Sequence, residues 1–308
     1  MLPLREYIKE PRICLYSLLR EYGFMIPDRL YLQMIYYLKM GKRLNLANPQ
    51  TFGEKMQWLK LNDRNPRYTM MVDKYAVKDF VAKVIGKQYV IPTLALWDNP
   101  NEVNLDYLPQ QFVIKTTHGG GGDDIFVCKD KTFFDRDIFI QQINKSIQKN
   151  TYIPFREWPY KNVHRRIMAE RFIYDSSNPN SDLTDYKFYC FSGVPTFCQV
   201  IKNRHVKETI DFFDMDWRHL EFYGLNPKAK PSETEIARPV HFDKMKEIAR
   251  QLSVGLLFSR IDLYDTSEGP FFGEITLYPN SGFGLFTPSK YNIILGNMIH
   301  LPNMGKNS

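Results

Sequence analysis

The amino-acid sequence predicts an α+β fold whose sheets are largely antiparallel. The first third of the chain has helix start and stop signals, and the remainder mixes β-branched and aromatic runs with helices. This mixture lacks the regular βαβ alternation of a parallel sheet. Several predicted strands are joined by short turns such as Ser192-Gly193-Val194-Pro195, which is typical of hairpins. No internal repeat and no linker interrupts the pattern.

The composition is that of a packed globular protein. Of 308 residues, 44% are hydrophobic and 24% are charged. Lys plus Arg 41 against Asp plus Glu 34 gives a net charge of +7. This excess suits a partner bearing phosphate or carboxylate, but does not choose among nucleotide, nucleic acid and anionic sugar polymer.

Cysteine usage and hydropathy narrow the class of protein further. The cysteines contain no C-x-x-C pair, which argues against a zinc site or a disulfide framework; they are Cys14, Cys128, Cys190 and Cys198. We interpret them as small apolar fillers. No apolar run approaches the roughly 18 residues that span a bilayer, and the N-terminus lacks the uninterrupted apolar stretch of a signal peptide. We therefore expect a cytoplasmic protein.

The helical first third has three segments that are marked by helix start or stop signals. Asp28 is expected to cap a helix through about Lys39, with Gly41 behind it. Thr51 and Glu54 form a capping box before Lys55 to Leu61. A further helix is expected to start at Asp73 and to stop at Gly86.

The strand-rich remainder begins near Tyr89. A helix is expected from Asp135 to Asn150, with Ile140, Ile143 and Ile147 on one face. Another is expected over Asp243 to Leu252, and a C-terminal helix near Ser289 to Ile299. Strands are expected at Tyr89–Leu94, Phe112–Thr116, Ile125–Cys128, Arg166–Tyr174, Asp185–Phe191, Thr196–Ile201 and Ile210–Phe213, followed by two more before the last helix.

Four consecutive glycines make Gln111 to Lys131 the first informative stretch. They follow an apolar strand in the run QFVIKTTHGGGGDDIFVCKDK. Walker A and dinucleotide loops require a following helix, whereas Ile125 to Cys128 is predicted to be a strand. The HGGG string of esterases requires a G-x-S-x-G nucleophile elbow, which this chain lacks. The pattern favours a glycine hairpin over phosphates, with Lys115 as a point charge; the alternative is a tight surface turn.

A second hairpin is predicted between Ser259 and Gly282. If its loop is the five residues Thr266 to Pro270, Asp265 pairs with Phe271, Asp262 with Glu274, and Arg260 with Thr276. Two directly opposed carboxylates repel each other unless a cation lies between them, and hard oxygen ligands suit Mg²⁺. The alternative is a solvated hairpin face on which Arg260 neutralises the acids.

Together these residues resemble the ATP-grasp superfamily, and the chain from about Leu30 to Pro288 resembles its TupA-like branch, named for teichuronopeptide biosynthesis. The motifs are NPQTFGEKMQWLK, DKYAVKDFV, QFVIKTTHGGGG and FGEITLYPNSG. The resemblance implies two antiparallel-sheet α+β lobes clasping ATP, preceded by a helical segment over residues 1–68. The ATP-grasp domain would occupy 69–308, with the glycine-loop lobe at 69–165 and the hinge and metal-binding lobe at 166–308.

The resemblance also implies roles for individual residues around ATP. Lys74 and Lys115 would hold the phosphates, and Asp185 and Lys187 would face ribose and phosphate. The mobile loop over the phosphates would be His118, Gly119, Gly120, Gly121 and Gly122. The hinge that contacts adenine would be Glu170, Arg171, Phe172 and Ile173.

The carboxylate hairpin would supply the metal ligands. Asp262 and Glu274 match the superfamily's magnesium carboxylates, and Arg260 matches its transition-state arginine, acting with Lys187 as the catalytic pair. Thr276 stands where many ATP-grasp enzymes have the Asn of an E-x-N motif, and Asn280 is a substitute ligand. Asp123 and Asp124, directly after the glycines, would repel phosphate unless they point away.

The function implied by the resemblance is an ADP-forming carboxylate–amine ligase that acts through an acyl phosphate. It would use ATP and two Mg²⁺ ions, and would join an amino acid or amine to a uronic acid or similar carboxylate of a surface polysaccharide. This polysaccharide would be of the capsular, O-antigen or teichuronic type. Nucleic acid is not an expected partner.

Two other classes compete with the ligase. Asp214 and Asp216 form a D-x-D after a predicted strand, as in metal-dependent glycosyltransferases, but this chain begins with helices and not with a nucleotide-binding βαβ unit. Residues 29–44 are basic and aromatic enough to lie on an anionic membrane or nucleic acid. The inner face of the membrane is therefore a second expected location, although a packing helix with a basic end is the favoured interpretation of this segment.

Overall fold

The computed structural model describes residues 11–120, 124–174, 183–203, 207–226 and 229–302, with side chains from residue 15 onward. The helices in these ranges are α1 (Pro11–Tyr22), α2 (Asp28–Met40), α3 (Phe52–Asn62), α4 (Arg67–Val72), α5 (Val77–Ile85), α6 (Arg136–Gln148), α7 (Phe242–Leu252) and α8 (Lys290–Asn297). The strands are β1 (Thr93–Trp97), β2 (Phe112–Thr116), β3 (Ile125–Cys128), β4 (Ile167–Arg171), β5 (Asp185–Phe191), β6 (Val194–Lys202), β7 (Thr209–Asp214), β8 (Tyr223–Gly224), β9 (Phe258–Thr266), β10 (Gly269–Thr276) and β11 (Phe286–Thr287).

All three sheets are antiparallel, which confirms the predicted α+β class. The first sheet has the order β1-β4-β2-β3, and the second has the order β10-β9-β5-β6-β7. Strands β8 and β11 form a small third sheet. The turn between β5 and β6 consists of Ser192 and Gly193, both left-handed with φ of 49° and 81°, as a two-residue hairpin requires.

Helix ends follow the predicted signals where the capping residue has no long-range partner. Thr51 and Glu54 form the predicted capping box, and Gly41 ends α2 in the left-handed conformation. The predicted cap at Asp28 is wrong, because Pro27 is the N-cap. The Asp28 carboxylate instead accepts a hydrogen bond of 2.6 Å from the Tyr152 hydroxyl. A tertiary contact has therefore replaced the local one.

Two further helices differ from prediction in detail. Asp73 ends α4, and its carboxylate accepts hydrogen bonds from the backbone of Tyr75 and Ala76, at 2.8 and 3.0 Å, before α5 begins. In α6 the buried side chains include Phe139 and Ile143, whereas Ile140 is exposed. The predicted apolar face of α6 was therefore wrong at Ile140.

The predicted strand at Tyr89–Leu94 starts later, because residues 87–89 form a 3-10 turn.

The hydrophobic core is divided between the two large sheets. One cluster joins the second sheet to the N-terminal helices and α7, with Tyr36, Phe52 and Phe188 fully buried in it. A smaller cluster lies between the first sheet and α6. The described part of the helical segment predicted over 1–68 thus packs as part of the second sheet's core. Strand β4 pairs within the first sheet, although the predicted boundary at 165 assigned it to the second lobe.

Helix α2 has the burial of a packing helix. It buries Tyr31, Leu32, Ile35 and Tyr36 against the core. This supports the favoured interpretation of segment 29–44 over a helix lying on a membrane. Within the described ranges, no helix combines the length and the apolar character needed to cross a bilayer.

Candidate active site

The β9–β10 hairpin brings the two predicted carboxylates opposite each other. Asp262 pairs with Glu274 and Arg260 with Thr276, which confirms both pairs. The predicted pair of Asp265 with Phe271 is wrong, since Asp265 lies opposite Pro270.

The tip of this hairpin explains the difference. The turn has two residues, not five, because Thr266 pairs with Gly269 and donates its hydroxyl to the Gly269 carbonyl at 2.9 Å. Asp262 and Glu274 are separated by eleven residues, whereas a regular hairpin with a two-residue turn places an even number between paired residues. A bulge at Gly273 takes up the extra residue and restores the register.

The Arg260 guanidinium lies between the two carboxylates. Its Nε and Nη2 donate to the two oxygens of Asp262 at 2.7 and 2.8 Å, and Nη2 also donates to Glu274 at 3.1 Å. The Thr276 hydroxyl accepts from Nη2 at 2.9 Å and donates to Glu274 Oε1 at 3.0 Å. The cation that the opposed carboxylates require is therefore supplied by the chain itself.

Lys187 is the second cation of the cluster. It lies opposite Asp262 on the neighbouring strand β5, and its ammonium donates to Asp262 Oδ2 and lies 3.4 Å from Asp185. Asp262, Lys187 and Arg260 are all buried. Burial alone would raise the pKa of Glu274, but Lys74, Arg260 and Lys187 outweigh it and hold that pKa well below its usual value.

Lys74 connects this cluster to the glycine loop. Its backbone N–H donates to Thr117 at the end of β2, at 2.9 Å. Its ammonium donates to the Gly119 carbonyl and lies 3.7 Å from Glu274 Oε2. The structure therefore places one predicted phosphate lysine between the loop and the carboxylates.

The start of the glycine loop is tightly packed. A Cβ on Gly119 would lie 2.5 Å from Thr116 Oγ1 and 2.9 Å from Asp124 Cβ, so only glycine fits there. Asp124 is buried beside Gly119, and its carboxylate forms a 2.6 Å salt bridge with Lys149. Gly121, Gly122 and Asp123 lie outside the described residues.

His118 is the least satisfied polar side chain of this region. It is 2% exposed, and neither ring nitrogen has a hydrogen-bond partner among the described residues. Thr116 Oγ1 beside it is likewise buried without a partner there. Burial, together with the Arg165 charge, lowers the pKa of His118 to about 4.

Lys115, the other predicted phosphate lysine, forms a pair with the hinge. Its ammonium lies 2.5 Å from Glu170, whose second oxygen lies 2.5 Å from Lys78. Burial opposes the charge of Glu170, but the two lysines outweigh it and lower its pKa. Sequence reasoning missed Lys78, although it lies one helical turn after Lys74 in the motif DKYAVKDFV.

The remaining hinge residues lie where the two sheets meet. Ile173 packs with Ile91 and Phe271, and the Arg171 guanidinium lies 3.0 Å from Glu268 at the hairpin tip. The Phe172 ring stacks on Tyr174 with centroids 6.1 Å apart. These contacts place the predicted adenine segment beside β10.

Some predicted ligands have other contacts. The Asn280 amide donates to the Leu225 carbonyl at 2.7 Å, in a turn beyond β10. Asp214 ends β7 and accepts backbone hydrogen bonds from Asp216 and Arg218, at 2.9 and 2.8 Å, which is a turn-forming role. Strand β7 is the sheet edge opposite β10. The D-x-D motif is therefore remote from the carboxylate cluster.

Glu157 and Tyr160 were missed by sequence reasoning altogether. Burial raises the pKa of Glu157, and the charges of Lys60 and Arg260 oppose this. Burial, with Glu157 and Glu274, also raises the pKa of Tyr160. Both residues lie between α6 and β4, at or within the short 3-10 helix Trp158–Asn162, which is too short for a periodicity to mark them.

Comparisons with solved structures give several ligases as matches. A search of solved structures gives the D-alanine–D-alanine ligase from Helicobacter pylori at 14% identity and TM-score 0.44, covering 83% of this chain and 70% of that chain. The Bacillus anthracis D-alanine–D-alanine ligase complexed with ATP matches at 13% identity and TM-score 0.39, covering 68% and 55%. The ATP-grasp ligase PsnB complexed with minimal precursor matches at 12% and 0.38, covering 69% and 53%.

The chain thus spans little more than half the length of two of these ligases. At such identities and TM-scores, the likeness does not bear on activity or substrates. No curated protein matches the sequence.

The family comparison is the decisive one. The model of the TupA-like ATP-grasp family matches residues 54–300, which include the carboxylate hairpin, the glycine loop and the hinge. The match confirms the predicted ATP-grasp fold. Because one family model accounts for most of its length, the chain belongs to the TupA-like ATP-grasp family.

Proposed function

We propose that the protein joins a carboxylate to an amine at the expense of ATP, through an acyl-phosphate intermediate. The observation that carries the proposal is the cluster of the buried Arg260, Asp262 and Lys187 with the partly exposed Glu274, beside which lies Lys74, a donor to the glycine loop. Burying paired charges costs folding free energy, so such a cluster is typical of a site that is kept for a reaction.

Glu274 is the carboxylate that is open to Mg²⁺, because among the described residues its Oε2 atom has only Lys74, at 3.7 Å, beside it. Both oxygens of the opposed Asp262 accept from Arg260, so Asp262 would bind an ion in exchange for these hydrogen bonds. In the described ranges no three His, Cys, Asp or Glu side chains gather at one point, which is consistent with an ion that takes its other ligands from substrate phosphates and water. Two ions and the ligand roles of Thr276 and Asn280 stay predictions. Bound Mg²⁺ would supply charge neutralisation at the transferring phosphoryl group.

The lysines are placed to hold ATP. The Lys74 ammonium donates to a neutral carbonyl, Gly119, which a phosphate oxygen can replace as a stronger, charge-assisted acceptor. The Lys115 ammonium has three donors, and among the described residues its ion-pair partner is Glu170, so it can also donate to a phosphate. His118, Gly119 and Gly120 lie against the same end of β2.

The chemistry then has two steps. A carboxylate oxygen of the substrate attacks the γ-phosphorus, the β–γ P–O bond breaks, and ADP leaves. The amine nitrogen of the second substrate attacks the carbonyl carbon of the acyl phosphate, loses a proton, and displaces inorganic phosphate. Arg260 is the group placed to stabilise the negative charge that develops on the acyl phosphate.

The substrate class rests on the family alone. The name of the family branch supports an amine, or an amino acid, joined to a uronic acid or similar carboxylate of a surface polysaccharide. The net charge of +7 is compatible with an anionic glycan. A cytoplasmic location, with or without contact with the inner face of the membrane, belongs to the same proposal.

Product analysis tests this function. The protein is incubated with ATP, Mg²⁺ and separate pools of uronic acids and amines, and the nucleotide products are separated. Release of ADP and phosphate is expected to rise above the basal rate of ATP hydrolysis only when both pools are present. AMP and pyrophosphate would contradict the acyl-phosphate route, and turnover with peptides but no sugar acid would contradict the glycan. A thermal shift with UDP-sugar and Mn²⁺ but none with ATP and Mg²⁺ would favour the glycosyltransferase.

A further inference from the structure

The turn that follows the catalytic strand β10 is held in an unfavourable backbone conformation. Asn280, Ser281 and Gly282 are three consecutive left-handed residues, with φ of 48°, 53° and 69°. For residues other than glycine this region costs on the order of 1 kcal/mol or more each. The turn begins only a few residues after Thr276, so its shape and the position of the carboxylate strand are linked. Surrounding contacts must therefore hold it.

Two side chains of helix α3 supply those contacts. Gln57 donates its amide to the carbonyls of Ser281 and Gly282, at 3.0 and 3.2 Å. Lys60 donates to the Ser281 carbonyl at 2.7 Å, to Gln57 Oε1 at 3.0 Å and to the Phe155 carbonyl at 2.9 Å. Both side chains are fully buried, and all three ammonium donors are used. Burying the Lys60 ammonium against backbone carbonyls costs folding free energy, and burial lowers the pKa of Lys60 to about 7.

Helix and turn also approach each other at backbone distance. A Cβ on Gly53 would lie 2.8 Å from the Gly282 carbonyl oxygen, and a Cβ on Gly282 would lie 2.5 Å from Met56 Cβ. The interface between α3 and the turn is thus a close fit that larger residues would separate.

The turn continues the contact toward the reacting groups. The Ser281 hydroxyl donates to the half-buried Glu157 carboxylate, whose pKa is affected by the charges of Lys60, Arg260 and Glu274. A chain of contacts therefore runs from Lys60 through Ser281 to Glu157, at the edge of the carboxylate cluster.

We propose that Lys60 and Gln57 are positioning residues of the ligase, which fix the Asn280–Gly282 turn directly beyond the carboxylate strand β10 and, through Ser281, hold Glu157. Helix α3 then supports the active site and is not a separate extension of the ATP-grasp core. The expected effect on catalysis rests on the proposed function. The expected effect on the turn rests on the geometry alone.

The test compares Lys60→Met with Lys55→Met. Lys55 is a matched control in the same helix, because its ammonium donates to the Ile299 carbonyl at 2.8 Å and not to the turn. Hydrogen exchange of peptides covering residues 277–285 and 93–97 is measured in the full chain. Binding of ATP with Mg²⁺ and the basal rate of ATP hydrolysis are measured in parallel, since the acceptor is unidentified.

For Lys60→Met we expect exchange of the 277–285 peptide to be roughly tenfold faster or more, with that of 93–97 unchanged. The hydrolysis rate is expected to fall roughly tenfold or more, since small misplacements of reacting groups have effects of this size. ATP affinity is expected to stay within about twofold, because the phosphate lysines lie on other elements. Lys55→Met is expected to change none of these.

The inference is overturned if Lys60→Met matches Lys55→Met in exchange of the turn. If Lys60→Met does not fold, Gln57→Met removes the other two bonds to the turn and is judged by the same criteria. A wild-type protein that binds no ATP would refute the proposed function, and the exchange result would still decide the inference.

Discussion

The β9–β10 hairpin and the glycine loop form the two halves of the candidate site, and they differ in how their polar groups are satisfied. In the hairpin, Arg260 makes four hydrogen bonds to Asp262, Glu274 and Thr276. In the loop, Thr116 and His118 are buried without partners among the described residues. Each such group costs about 1–3 kcal/mol. The hairpin is thus assembled in advance, whereas we expect the loop to depend on a ligand for its final arrangement.

The largest expected effect is from Asp262→Asn in the hairpin. The substitution leaves Arg260 and Lys187 buried with one carboxylate fewer, so we expect a loss of about 3–5 kcal/mol in the free energy of unfolding. Urea unfolding measures it, with Asp265→Asn as control, because Asp265 pairs with the half-buried His241 outside the cluster. Wild-type stability for Asp262→Asn would show that the cluster does not depend on charge balance.

Glu274→Gln separates catalysis from stability in the same half. The Glu274 side chain is 36% exposed, so its loss disturbs the core less than that of Asp262. We expect ATP turnover to fall roughly a thousandfold, equivalent to about 4 kcal/mol of transition-state stabilisation. Glu268→Gln at the exposed hairpin tip is the control. Normal turnover in Glu274→Gln would remove this carboxylate from the reaction.

The loop half should respond to pH through His118. Its pKa is about 4 in the folded protein and 6.5 for the free side chain, so the unfolded chain binds more protons between these values. The contribution of His118 to the free energy of unfolding is therefore fully present above pH 6.5. It is lost as the pH drops toward 4, and the loss amounts to up to about 3 kcal/mol. Unfolding curves at pH 7 and 4.5 should show this loss in the wild type, and a smaller one in His118→Gln. His164→Gln, at an exposed site, should retain the full loss.

The smallest expected effect compares two neighbouring glycines. Ala at 119 would place its Cβ against Thr116 and Asp124, whereas at 120 no heavy atom lies within 4 Å. We expect Gly119→Ala to lose about 1–3 kcal/mol and Gly120→Ala to be nearly neutral. Thermal unfolding measures both. Equal losses would mean that the loop root is not packed as the structure places it.

Local signals predicted much of the fold. Strands β2, β3 and β5 have the predicted bounds, and the Thr51–Glu54 capping box is confirmed. The pairing of Asp262 with Glu274 was predicted from a five-residue loop, and it is present because the bulge at Gly273 offsets the shorter two-residue turn.

What could not be predicted depends on contacts distant in sequence. Asp28 gives up its capping role to Tyr152, and Glu170 takes Lys78 as a second partner. Glu157 reaches the cluster from a segment without periodicity. The family resemblance supplied the expected roles of Lys74 and the hinge, and no pattern in one sequence would show that Lys60 and Gln57 meet the turn beyond β10.

The bulge at Gly273 has a consequence for how this hairpin can change in evolution. A chain without residue 273 would have ten residues between the two carboxylates, which a two-residue turn accommodates as a regular ladder with the same pair opposed. Replacing the glycine is harder, since a Cβ there would lie 3.1 Å from the Asp262 carbonyl oxygen and 3.1 Å from the Tyr264 ring. Position 273 is therefore more open to deletion than to substitution, so relatives whose hairpins are one residue shorter can keep the same catalytic geometry.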